Sequence, residues 1–278
     1  MSSYAPGEKT VPFDEVRPLV IQGKFPAGAA YPPMEVLSME KRYQKGIAVA
    51  LVVASAYFFV VQAARYNLAV MAASAEEEVA LVIVDAGHGG EDGGASTADG
   101  VPESQLNLAI ALRLEQVLAL CGCPVEMIRR TDTAVYSEGA ETFSEKKTSD
   151  LKNRVAQVNA APRAILISIH QNHFTQSQYA GAQVFYAASE GSRDLAEITQ
   201  GALRQALDPE NTREIKPGDA IYLLEQIRCP GVLVECGFLS NAAEAKQLQT
   251  PTYQTKIACA VAGAAIRYLE SEAENLEI

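Results

Sequence analysis

Three stretches of the chain share one pattern, a run of β-favouring apolar residues that stops abruptly at a polar side chain. Residues 81–84 read Leu-Val-Ile-Val and give way to Asp85 and a glycine-rich turn that carries His88. Residues 164–169 lead into His170, Gln171 and Asn172, and residues 231–234 lead into Glu235. Short apolar runs bounded by turn residues read as strands buried on both faces, the habit of a parallel sheet. Parallel strands put their carboxyl ends along one edge, so the polar residues ending these runs gather there.

Between these runs the period lengthens to that of a helix. Leu106, Ile110, Leu114, Val117 and Leu118 predict a helix over 103–120, closed by Gly122 and Pro124. Residues 125–128 predict a second strand and 129–148 a polar, mobile loop. A helix over 149–160 follows, with Ser149 or Asp150 as its cap and Leu151, Val155 and Val158 turned inward. After strand 164–169 come a strand over 182–186, a helix over 193–207 and a turn-rich stretch, 208–219. A short strand over 221–224, a strand over 232–235 and helices over 242–249 and 252–270 complete the pattern. The expected fold is α/β, an open, mainly parallel twisted sheet with helices on both faces, preceded by one N-terminal transmembrane helix. Its folded domain spans 79–271, followed by a short tail, 272–278.

The membrane helix is read from residues 46–64, nineteen positions without a charge, close to the roughly 20 needed to cross a bilayer. Lys41, Arg42 and Lys45 precede it, whereas Arg65 and then Glu76, Glu77 and Glu78 follow. That asymmetry places a loosely ordered segment, 1–45, in the cytoplasm, and a linker, 65–78, and everything beyond it outside. A cleaved signal peptide is the competing reading, because Ala73-Ser74-Ala75 has the small-x-small form of a cleavage site.

Composition narrows the function classes. The 278 residues are 48% hydrophobic and hold 23 Lys and Arg against 34 Asp and Glu, a net charge of −11. Such a chain lacks the basic face that binding nucleic acid requires. Five cysteines with no C-x-x-C pair read as mostly buried apolar residues rather than a zinc knuckle. With only His88, His170 and His173 present, any histidine chemistry has few candidates.

Two of those histidines follow strands, and Glu103 opens a helix. Two imidazoles and a carboxylate are a ligand set of catalytic zinc, although each residue alone also fits an ordinary cap or hydrogen-bonding role. Glu235 is either a general base with a pKa raised by apolar surroundings or a buried carboxylate paired with Arg154. Asp85 and Asn172 are candidates to orient the imidazoles or simply to serve turns, and His173 is a rim residue. The glycine loop is not a phosphate cradle, since it lacks the dinucleotide spacing and carries Glu91 and Asp92.

The blocks DAGHGGEDGG, Glu103 within ESQLNL, SIHQN and VLVECGFLSN resemble the signatures of the zinc-dependent N-acetylmuramoyl-L-alanine amidases of the Amidase_3 family, over about residues 80–270. The resemblance implies one zinc ion held by His88, Glu103 and His170, with Glu235 as the catalytic carboxylate. It further implies hydrolysis of the amide between N-acetylmuramic acid and L-alanine in peptidoglycan, whose glycan strands and stem peptides are the partners. DLKNR at 150–154, NTREIKP at 211–217 and the IYLL run at 221 are similar to the germination-specific, CwlD-type members. Those members act in spore cortex maturation, ahead of muramic δ-lactam formation. Ala86 departs from the proline usual in the first block, and the N-terminal extension is longer than in that subgroup. The short stretch between Tyr186 and the helix at Arg193 has no room for the inhibitory helical insertion of division amidases. The site is then expected to be unplugged, unless an activating protein partner supplies control. A vegetative cell-wall amidase, a non-catalytic peptidoglycan-binding or scaffold module, and a zinc hydrolase of ordinary peptides are the alternatives.

Overall fold

The computed structural model describes residues 47, 51–62, 80–161 and 163–276. The chain divides into two compact units, Met1–Met71 and Ala72–Ile278. In the first, residues 51–62 are helical with exposed apolar side chains, Phe59 at 71% among them. Among the described residues no helix is long and apolar enough to cross a membrane. The remainder of the 46–64 run apart from Ile47, the segment and linker flanking it, and the alternative cleavage site lie outside the described residues.

The second unit holds β1 (Leu81–Ala86), α1 (Glu103–Leu120), β2 (Val125–Met127), α2 (Phe143–Ala160), β3 (Ala164–Asn172), β4 (Gln183–Tyr186), α3 (Ser192–Leu207), β5 (Lys216–Pro217), α4 (Tyr222–Gln226), β6 (Gly231–Phe238), α5 (Ala242–Leu248) and α6 (Pro251–Leu276). Among the described residues six strands form one sheet in the order β2-β1-β3-β6-β4-β5. The three apolar runs are neighbours: β1 and β6 both pair in parallel with β3, so Asp85, His170 and Glu235 reach the same edge. The pairing of β4 with β6 is antiparallel, which makes the sheet mixed.

Alternation along the strands builds a core on each face. Val82, Val84, Ile165, Ile167, Val232 and Val234 pack with Ile110 and Leu114 of α1, Leu195 and Leu203 of α3, and Ile257 and Val261 of α6. Ile83, Leu166 and Leu233 point the other way, onto Val158 of α2 and Leu223 and Leu224 of α4.

Four expectations need correction. The helix expected at 149 begins at Phe143, where Thr142 and Glu145 form a reciprocal capping box: Thr142 Oγ1 accepts from Glu145 N at 3.3 Å and Glu145 Oε2 from Thr142 N at 2.9 Å. Its buried positions are Asp150, Arg154 and Val158, a helical stripe that is mostly charged and so has no hydrophobic period. The loop before it is anchored at its start by Arg129, only 3% exposed. Residues 222–226 are a short helix rather than a strand, an ambiguity inherent in brief apolar runs. Of the cysteines, Cys236 alone is buried, while Cys121 and Cys259 are exposed on helix surfaces and turns.

Candidate active site

His88 lies two residues past the end of β1 and takes a left-handed backbone, φ 61, a conformation that costs free energy in a residue bearing a Cβ. Two buried arginines hold this turn by its carbonyls. Arg154 donates to Ala86 O at 3.0 Å and His88 O at 2.8 Å, and Arg129 donates to Ala86 O at 2.7 Å and Gly87 O at 3.0 Å. Arg154 is itself held by Asp85 and by Asp150, whose Oδ2 accepts from Nε at 2.6 Å. Ser168 Oγ donates to Asp85 at 2.6 Å. Burial pushes the Asp85 carboxyl up, but Arg154 and Ser168 outweigh it and hold it below the usual range.

The expectation that Asp85 and Asn172 orient the imidazoles is therefore corrected. Asp85 acts on the histidine's backbone through Arg154. Asn172 contributes its carbonyl, which accepts from Leu239 N at 2.8 Å. The carboxylate that does orient a ring is Asp92, four residues after His88: its Oδ2 accepts from His88 Nδ1 at 3.0 Å. A histidine followed by an acid within a tight glycine turn was the available signal.

With Nδ1 engaged, His88 turns Nε2 to within 3.3 Å of Glu103 Oε1, and His170 Nδ1 lies 3.1 Å from the same oxygen. The rings stand nearly edge to face, centroids 5.0 Å apart. One ligand atom from each of His88, Glu103 and His170 falls within 4.8 Å of the others, a group able to hold a metal ion. Glu103 opens α1 and is buried, with Ala95 N donating to Oε2 at 3.0 Å and Asn107 Nδ2 and Gln171 N donating to Oε1 at 3.2 and 3.1 Å. Burial would raise its pKa, yet the hydrogen bonds from His170 and His88 hold it well below the carboxylate range. The His88 imidazole is pushed up to about 9, because its bonds to Asp92 and Glu103 outweigh its burial. The two shifts are opposite sides of the same contacts: the imidazoles stabilise the Glu103 carboxylate, and Asp92 and Glu103 stabilise the protonated His88 ring.

Two glycines leave room for the group. A Cβ on Gly87 would stand 2.1 Å from His170 Nε2, and one on Gly94, φ +69, would stand 2.5 Å from Glu103 Oε2. A side chain at either place collides with the cluster.

Glu235 lies directly opposite His170 in the sheet register. Its Oε2 is buried and has no hydrogen-bond partner among the described residues. Burial, helped by the charge of Glu103 and opposed by the two imidazoles, pushes its pKa up to about 7. The alternative pairing with Arg154 is not formed, since that arginine is committed to Asp85 and Asp150. His173 is exposed just past β3, in keeping with a place on the rim. Arg129 and Gln171 were not legible as site residues, because each acts through partners distant in sequence, whereas Asn107 sits one helical turn from Glu103 and was overlooked.

Residues 82–267 match the Amidase_3 family model, described as N-acetylmuramoyl-L-alanine amidase. The chain is 35% identical over 198 residues to the germination-specific N-acetylmuramoyl-L-alanine amidase of Bacillus subtilis, a match covering 71% of this chain and 83% of that protein. The CwlD amidase of Clostridioides difficile, solved in complex with the GerS lipoprotein, is similar at 41% identity and a TM-score of 0.67, over 69% of this chain and 99% of that one. An N-acetylmuramoyl-L-alanine amidase from Clostridium difficile 630 superposes with a TM-score of 0.61 at 26% identity, over 69% and 98% of the two chains. The family model covers most of the second unit, and the chain belongs to the Amidase_3 family as an N-acetylmuramoyl-L-alanine amidase.

Proposed function

We propose that the chain is a zinc-dependent amidase that cuts the bond between the lactyl group of N-acetylmuramic acid and L-alanine in spore-cortex peptidoglycan. The observation that carries this reading is the partnerless Glu235 oxygen standing beside a His-Glu-His cluster. His88 Nε2, a Glu103 carboxylate oxygen and His170 Nδ1 would hold the ion, and the donor set suits zinc. Bound there, zinc supplies Lewis acidity, which polarises a carbonyl and acidifies water.

The chain's own residues do the rest. Asp92 keeps His88 in the tautomer that frees Nε2. Glu235 takes a proton from the attacking water and returns it to the leaving L-alanine nitrogen. A carboxyl poised near about 7 suits both transfers at neutral pH. Arg129 and Arg154 hold the turn that presents His88.

The germination-specific relative supports a role in cortex maturation that precedes muramic δ-lactam formation. The uncharged run at 46–64, with 51–62 helical and exposing its apolar side chains, supports a membrane anchor and an extracytoplasmic amidase domain. Only five residues separate β4 from α3, which supports an unplugged cleft. The GerS complex of the C. difficile relative supports control by a protein partner.

The test is mass spectrometry of material released from purified peptidoglycan by the full chain, with and without zinc. Stem peptides beginning at L-alanine are expected with zinc alone. Release that persists after the metal is stripped refutes the zinc reading, and release of glycan fragments instead refutes the bond assigned.

A further inference from the structure

On the β4 side of Glu235 the fold carries a cation that the reaction above does not use. Arg213 lies in the segment between α3 and β5. Its Nε donates to Ala180 O at 2.7 Å and its Nη1 to Gln183 Oε1 at 3.2 Å, and its guanidinium stacks over the Phe238 ring at 4.4 Å. The Nη2 group donates to no acceptor among the described residues.

Register places this group on the sheet face of the proposed base. Gln183 is the antiparallel partner of Glu235, so the two side chains leave the same face. The β3–β6 pairing passes from His170↔Glu235 to Asn172↔Phe238, two residues on one strand against three on the other. That bulge returns Phe238 to the face of Glu235. A guanidinium touching both Gln183 and Phe238 therefore lies over the face that presents Glu235, one strand further from His88.

Its lack of a carboxylate is notable in a chain of net charge −11. On the opposite, His88 side of the cluster, Lys146 is paired with Glu91 at 2.7 Å and Lys147 with Asp92 at 3.2 Å. Arg213 makes no ion pair among the described residues, yet it is oriented by two hydrogen bonds and a ring. A fixed, partly buried guanidinium with free N–H groups is a receptor for a carboxylate.

The direction of the reaction says whose carboxylate. Because Glu235 protonates the leaving nitrogen, the released peptide lies on the Glu235 side of the cluster, which is the side of Arg213. We propose that Arg213 binds a free carboxylate of the stem peptide, borne by the acidic residue after L-alanine. The exposed rings of Phe174 and Tyr179, packed on Phe238, wall the same place. This inference rests on the amidase reading above and makes the enzyme selective for an acidic peptide.

The test uses the zinc-loaded full chain and two disaccharide-tetrapeptide substrates. They differ only in whether the α-carboxyl of the residue after L-alanine is free or amidated. The wild type is expected to cut the acid with kcat/KM about 10- to 100-fold higher, the range of one charge-assisted bond, with the difference mostly in KM. Arg213→Gln is expected to erase the preference and Arg213→Lys to restore part of it, with thermal melts confirming that both variants fold. A wild type without preference, or an Arg213→Gln chain that loses both substrates equally, overturns the assignment and leaves the amidase reading standing. A folded, zinc-loaded wild type that cuts neither substrate overturns the amidase reading and this inference together.

Discussion

Replacing Glu235 by Gln should remove turnover and at the same time change how the metal-free protein responds to pH. The carboxyl is raised from its ordinary 4.5 to about 7. The folded state thus holds that proton more tightly than the unfolded chain does. Below pH 4.5 both states are protonated and folding bears no penalty. As pH rises from there to about 7 the unfolded chain ionises first and stability falls. Above about 7 the full penalty stands, since the charge sits where Oε2 has no partner. A shift of that size corresponds to about 3.5 kcal/mol at about 1.4 kcal/mol per pH unit. Gln has the same shape and no proton to lose. Whatever its amide costs is independent of pH, so it cancels when the two proteins are compared at pH 4 and at pH 8. The melting difference, variant minus wild type, should therefore grow by about 7 to 14 °C between those pH values, at about 2 to 4 °C per kcal/mol for a unit of this size. The assay is thermal melting of chelator-stripped protein at both pH values, beside peptide release by the zinc-loaded pair. An unchanged difference would show that Glu235 is not desolvated as the structure has it. Retained turnover by the variant would remove it as the base.

Asp92→Asn should lower zinc affinity about 10- to 100-fold, read by competition with a chromophoric chelator, because the amide no longer takes the His88 Nδ1 proton as a carboxylate does; unchanged affinity would refute the orienting role. Arg154→Met should destabilise the fold by about 3 to 5 kcal/mol in denaturant melts at neutral pH, since Asp85 is left buried without its cation. That loss should shrink as pH falls, because without Arg154 burial pushes the Asp85 carboxyl up, and its protonation relieves the unpaired charge. A loss independent of pH would point to packing alone.

The chain's pattern was enough for the strands that matter. Val82 to Val84, Ile165 to Ile167 and Val232 to Val234 are apolar on both faces, and only a sheet covered on both sides accommodates such runs. That requirement, with polar residues at each run's end, brought His88, His170 and Glu235 to one edge before any coordinates. What escaped were groups whose partners are remote. Arg129 looks like a solvated cation in a polar stretch, and Arg154 was read as a possible partner of Glu235; both become structural only when the fold lays them against the carbonyls of residues 86–88. The first two turns of α2 were hidden because none of residues 143–148 is buried, so they carry no inward stripe for a period to show. Arg213 is ordinary in sequence and acquires meaning from an antiparallel strand and a bulge. Local pattern determines which residues must be buried and where a strand must stop, since each is a free energy of one segment with solvent. Which buried charge meets which carbonyl is a property of packing, and only the tertiary structure decided it.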